Sequence, residues 1–247
     1  MLQSRFDELR ERLLRAGIAP RHVRRYVTEL KDHFDDLVRE EIAGGASRSA
    51  AEAKARARLG NNNDLAEVML ARPDLRSLMA RYPWAVFGVA PVVLVIAALA
   101  ATIAIDVGIV SVAPAFVPHP TDVQREWFVF GVGVWNTLAM YAAPFAIAAA
   151  LCIAGLRQRT PATWIFTGIA VACVLGAFQE LHFWDDGRHG ELSLGSAFGP
   201  PFPAKLIVHG LYRAAVTIAA AGALYWYGIR RQNGHADIYA AAAQAAE

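Results

Sequence analysis

Cysteine is scarce: the chain has only Cys152 and Cys173 in 247 residues. Both fall in apolar runs, so buried free thiols are expected, with a disulfide the lesser reading. There is no P-loop, no dinucleotide-binding fingerprint, no HExxH and no GxSxG, which removes the sequence signatures of nucleotide, zinc-peptidase and serine-hydrolase chemistry. Gly131-Val-Gly133 is an isolated pair in an apolar run, as helix packing uses it. No excess of one charge sign exists either. The formal net charge is +2, too small for a nucleic-acid surface. No apolar run precedes residue 84 and no lipidation signature is present, so neither a signal peptide nor a lipid anchor is expected. No repeat relates the apolar segments in pairs, as transporters usually show. No catalytic residue, cofactor or metal is expected.

What is present is an abrupt switch at Pro83. Up to that residue there are sixteen Lys/Arg and thirteen Asp/Glu; the remaining 164 residues hold eight and nine. Mixed charge of the first kind suits a solvated helical surface. Residues 84–105 carry no charge, and at about 1.5 Å per helical residue they cross a hydrocarbon core of about 30 Å.

Before the switch the apolar residues recur at helical spacing. Phe6, Leu9, Leu13 and Leu14 share one face of a helix over 3–16, which Gly17 and Pro20 end. From Arg21 to Ile42, Val23, Tyr26, Val27, Leu30, Phe34, Leu37, Val38 and Ile42 form the stripe of an amphipathic helix of about six turns. Gly44 and Gly45 stop it. Ser49-x-x-Glu52 and Asp64-x-x-Glu67 have the form of capping boxes opening two further helices, to Leu59 and about Ala71. A last short helix over 74–81 leads to the first span. His33 and Asp36 are helical neighbours. The plain reading is a polar flank beside the Phe34/Leu37 stripe, and two residues fall short of a metal site.

The run Arg25-x-x-x-Glu29-Leu30-x-x-His33-x-x-Asp36-Leu37, followed by Gly45-x-Ser47, Ala51-Glu52, Leu59-Gly60 and Asp64-Leu65-Ala66, resembles the HAAS or "permease prefix" domain. The resemblance covers residues 5–72. That family is a bacterial helical module placed before transmembrane segments, often beside PadR-type regulators or transporter permeases. It implies a signalling or regulatory role and no catalytic residues. The chain departs from the family after Gly60, where Asn61-Asn62-Asn63-Asp64 replaces an Asp-Pro type cap.

Beyond Pro83 four spans are expected, at about 84–105, 131–156, 160–182 and 206–229, the second within an uncharged stretch over 127–156. Trp84, Trp127, Trp164 and Trp226 fall near span ends, as an aromatic belt requires. Arg72, Arg76 and Arg81 precede the first span, Arg157 and Arg159 separate the second from the third, and Arg230 and Arg231 follow the fourth. Asp106, Asp122 and Glu126 with Arg125, then Asp185, Asp186 and Glu191 with Arg188 and Lys205, fall in the opposite loops. The positive-inside rule therefore places both termini in the cytoplasm. Ala215, Ala219 and Ala223 form a small-xxx-small stripe suited to close helix contact.

The intramembrane polar residues Glu180, His209 and Arg213 are the candidate site. His209 and Arg213 are four apart on the fourth span, and Glu180 lies at the outer end of the third. An unpaired arginine in hydrocarbon costs several kcal/mol, so a Glu180–Arg213 ion pair is expected, with His209 or Gln179 beside it. One reading of that pair is structural. A second is a ligand, proton or metal site built from Glu180, His182, Asp185, His189 and His209, and a third is an Arg213 that snorkels outward without a partner.

The expected architecture is all-α: a cytosolic helical domain over 1–80, a four-helix transmembrane bundle over 81–232 and a flexible tail over 233–247. The expected function is that of a bacterial inner-membrane regulatory protein, not an enzyme. Its partners would be the lipid bilayer and a protein bound through residues 1–80. The alternative is a small transporter or permease subunit working through Glu180, His209 and Arg213.

Overall fold

The computed structural model describes residues 2–117, 119–185, 190–196 and 204–244. The described residues are 84% helical, and a single two-stranded antiparallel pair is the only sheet among them. It divides into two compact units. One comprises Met1–Pro83, Gly155–Pro161 and Ile229–Glu247; the other comprises Trp84–Ala154 and Ala162–Gly228.

The first unit is built on α1 (Leu2–Arg15), α2 (Pro20–Ala43), α3 (Arg48–Leu59) and α4 (Asn62–Leu70). A single-turn 3-10 helix (Pro73–Leu75) and the four-residue α5 (Leu78–Arg81) follow. The stripe on α2 buries Val23, Val27, Leu30, Phe34 and Leu37 against Phe6, Leu9 and Leu13 of α1. Each such side chain contributes roughly 1.5–3 kcal/mol on full burial. The start signals differ from those expected. α3 is capped by Ser47, whose Oγ accepts from the Ala50 amide at 3.4 Å, and Ser49 lies inside the first turn. α4 is capped by Asn61, which accepts from the amides of Asn63 and Asp64. Asn62 and Arg5 then bond reciprocally between α4 and α1, at 2.8 and 3.1 Å.

The α1–α2 turn is a junction. Gly17 takes φ +88°, and its carbonyl accepts from the Ser77 amide at 2.9 Å. Ala19 donates to the Leu75 carbonyl at 2.9 Å. The Ile18 carbonyl accepts from the Gln158 side chain at 2.9 Å, and Arg159 clasps Glu11. The connector Gly155–Pro161 is thus held inside the helical unit.

The second unit contains a π-helical turn (Ala85–Val89) continuous with α6 (Ala90–Phe116), with α7 (Asp122–Arg157) up to Ala154, α8 (Ala162–Ala177) and α9 (Ala204–Gln244) up to Gly228. Three helical segments are long and apolar enough to cross a membrane: Ala85–Ala113, Asp122–Arg157 and Ala204–Arg231. α8 is apolar but has only 16 residues, about 24 Å of helix, less than a hydrocarbon core. The expected span over 160–182 is therefore cut short. Its last residues form β1 (Gln179–Asp185), which pairs antiparallel with β2 (Gly190–Ser196), Leu181 opposite Leu194. The cause is a change of period. Leu181 and Phe183 are buried while His182 between them is exposed, the alternation of a half-buried strand.

α9 continues as helix through Gln244, across the segment expected to be a flexible tail. Its buried face carries Leu206, Gly210, Arg213, Thr217 and Ala221, whereas Ala215, Ala219 and Ala223 are exposed. Close helix contact uses glycine elsewhere. A Cβ on Gly176 of α8 would lie 2.5 Å from Pro144 Cγ, so the missing side chain makes room for the proline ring inside α7. Both cysteines are buried and free.

Candidate functional site

Three elements of the membrane-type unit supply the candidate residues. α7 presents Asn136 and Tyr141, β1 presents Glu180 and His182, and α9 presents His209 and Arg213 one turn apart on one face. They line a cavity of about 560 Å³ whose remaining wall is mainly apolar, including Phe130, Val134, Met140 and Phe183. That is the size and lining of a small-molecule pocket. Phe183 is fixed edge-on against Phe128 of α7, with centroids 5.9 Å apart, which seats β1 against α7.

Glu180, His209 and Arg213 share this cavity, but the expected Glu180–Arg213 ion pair is not formed. Arg213 is 5% exposed. Its Nη1 donates to the Gln179 carbonyl oxygen at 2.7 Å, and its guanidinium lies 5.9 Å from the centre of the Tyr141 ring. Glu180 instead faces two histidines, His182 Nε2 at 3.3 Å and His209 Nδ1 at 3.7 Å. The end of α8 at Ala177 explains the exchange. A helix carried through residue 182 would have set the Glu180 side chain by helical phase. Strand geometry sets it instead, and brings a backbone carbonyl to the arginine. The side chain of Asp185 and all of Asp186 and His189 lie outside the described residues. Among the described residues, no three His, Cys, Asp or Glu side chains converge as metal ligands.

Two residues of this unit escaped the sequence reading. Asp106 was expected in an outer loop after a span ending at 105. α6 runs on to Phe116, so Asp106 lies within the helix and is fully buried. Asn136, 1% exposed, is the polar side chain that faces it. Neither carboxylate oxygen of Asp106 and neither amide atom of Asn136 closes a hydrogen bond of ordinary geometry. Buried polar groups are rarely left so. A signal existed for both. Val107–Phe116 is as apolar as the residues before Asp106, and Asn136 is the lone amide side chain in the uncharged stretch 127–156.

His33 and Asp36 remain on the α2 surface. Both are exposed, and Asp36 pairs with Arg39.

No protein-family profile, no curated protein and no solved structure matches this chain.

Proposed function

We propose that this chain is a membrane-bound sensor or regulator, in which the cavity of the spanning unit reports its occupancy to the helical unit. The supporting observation is the connector Gly155–Pro161. It belongs to the helical unit, where Arg159 and Gln158 fasten it to α1 and to the turn that follows. The two helices it joins carry the cavity. α7 bears Asn136 and Tyr141, and α8 leads directly into Gln179 and Glu180. A shift of either helix on ligand binding is transmitted along the chain to a segment already hydrogen-bonded to Glu11 and Ile18.

The residue pattern over 5–72 that resembles the HAAS module points the same way, toward a regulatory domain that binds a protein partner. The arginines at 72, 76, 81, 157 and 159, with those at 230 and 231, favour a cytoplasmic helical unit, both termini inside and a bacterial inner membrane.

The test is amide hydrogen exchange on the full chain in lipid nanodiscs. Asn136→Leu and Tyr141→Ala, which alter the cavity wall and the surroundings of Asp106 and Arg213, are expected to change protection in residues 5–19 and 155–161. Unchanged protection there, with the cavity demonstrably altered, would sink the coupling.

A second reading, a small transporter or permease subunit, is favoured by the cavity itself, which brings Glu180, His209 and Arg213 together inside an apolar unit. Transport requires access from each membrane face in turn. With Cys152 and Cys173 replaced by alanine, Asn136→Cys labelled by an impermeant maleimide from both faces would favour transport. Labelling from one face favours sensing.

A further inference from the structure

We infer that the cavity binds an amphiphile made of an apolar body and an oxyanion head, either carboxylate or phosphate, with Arg213 as the head-group ligand. The inference rests on the cavity being a binding site, and it names what binds there.

Arg213 presents a guanidinium with five N–H donors and no acceptor. It is nine-tenths buried, and no described side-chain carboxylate forms an ion pair with it. Its contacts are a neutral carbonyl and an aromatic face. One N–H of five is spent on Gln179, which leaves a fork that suits two oxygens of a carboxylate or phosphate. A buried cation without a counter-anion is costly, and an incoming oxyanion removes that cost. Glu180 does not already serve. Its two oxygens are turned to His182 and His209.

Asn136 is the second pointer. It lines the same cavity, is 1% exposed and, with Asp106 as the side chain it faces, closes no hydrogen bond of ordinary geometry. Its amide on α7 is a second donor available to a head group that Arg213 holds from α9. The apolar wall decides the rest of the ligand. Phe130, Val134, Leu138 and Phe183 offer no partner for a small, fully hydrated anion, and reward an alkyl or aromatic body.

Dodecanoate, dodecanol and dodecyltrimethylammonium, matched in chain length, separate the contributions. Each is titrated against the full chain in phosphatidylcholine nanodiscs, read by native mass spectrometry and tryptophan fluorescence. Dodecanoate is expected to bind saturably, and dodecanol about tenfold or more weakly. Arg213→Gln is expected to erase that difference. Asn136→Leu is expected to narrow it, and keeps the inference testable if the Arg213 variant does not fold. Nanodiscs containing phosphatidylglycerol identify the source. Competition there assigns the site to a lipid phosphate head group, and its absence assigns it to a free carboxylate. Equal binding of dodecanoate and dodecanol, or dodecanoate affinity unchanged in both variants, overturns the inference. Selective dodecanoate binding that leaves exchange at residues 5–19 and 155–161 unaltered retains this ligand class and defeats the sensor reading instead.

Discussion

The Arg159 guanidinium grips both carboxylate oxygens of Glu11, at 2.7 and 2.6 Å, across 148 residues of sequence. Arg159 does so from a left-handed backbone, φ +55°. That conformation costs a non-glycine residue roughly 1–2 kcal/mol, and a partly buried two-point ion pair returns about the same. Arg159→Ala keeps the strain and loses the pair, so it should lower the stability of the helical unit by about 1–2 kcal/mol. Arg159→Gly loses both and should be the milder change. Urea unfolding of the full chain in nanodiscs orders the two variants. A glycine variant less stable than the alanine one would contradict the strain.

Gly17 is a stricter position. It takes φ +88°, and a Cβ there would lie 2.6 Å from Ala80 Cβ. Gly17→Ala combines left-handed strain with overpacking, for a loss of about 2–4 kcal/mol. Gly45 has the same φ with open space around it, so Gly45→Ala should show the strain alone and cost less. Side-by-side unfolding curves separate the two contributions.

Gly210 guards the cavity from behind. A Cβ there would overlap the ring of Phe178, the residue that precedes β1. Gly210→Ala should displace Phe178 and with it Gln179, lengthening the Arg213 hydrogen bond and destabilising the unit by about 1–3 kcal/mol. Adding Phe178→Leu should restore part of the loss. A double variant no better than the single one would place the damage elsewhere.

Acid should loosen the junction of α2 with α3. Glu41 receives Lys54 at 3.2 Å and Arg58 at 3.3 Å. Hydrogen bonding to Lys54, then the charges of Lys54 and Arg58, hold its carboxyl below the ordinary glutamate value. A carboxyl depressed on folding contributes stability that is present above its unfolded value, about 4.3, and is lost as pH falls through its folded value. Glu41→Gln should therefore be less stable than the parent at neutral pH and converge with it as pH falls through the lowered folded-state value of Glu41. An offset that persists unchanged at pH 3 would show that charge is not the cause.

The helical unit was legible because amphipathic stripes obey one period. Of the expected stripe on α2, Val23, Val27, Leu30, Phe34 and Leu37 are buried and Tyr26 and Val38 pack against them, while Ile42 at the helix end is exposed. The first cap slipped because Ser49, with Glu52 three residues on, completes the motif, whereas the helix starts after Ser47, which lacks the acidic partner and caps alone. The strand pair was lost for another reason. Hydropathy averaged along 160–182 hides the alternation of Leu181, His182 and Phe183, and the partner strand lies beyond a gap in sequence. Asp106 was misplaced because a charge was taken to end a span. A carboxylate facing Asn136 across two helices is a pairing that no single apolar run displays. Glu180, His209 and Arg213 were legible as costly residues, but their mutual bonding depended on where α8 stopped.

The turn over Ala85–Val89 adds one more consequence. Its closing bond runs from the Ala90 amide to the Ala85 carbonyl, five residues back and one more than an α-helix uses. Phe87, within that turn, is fully buried, and a Cβ on Gly168 of α8 would lie 3.2 Å from its ring. One surplus residue between that seat and α6 sets the rotational phase of everything downstream. Deleting Gly88 would return the turn to α geometry and swing Asp106 by about 100° around the helix axis, away from Asn136 and toward lipid. A single-residue spacer, with no side chain of its own, thereby decides which way a buried carboxylate points.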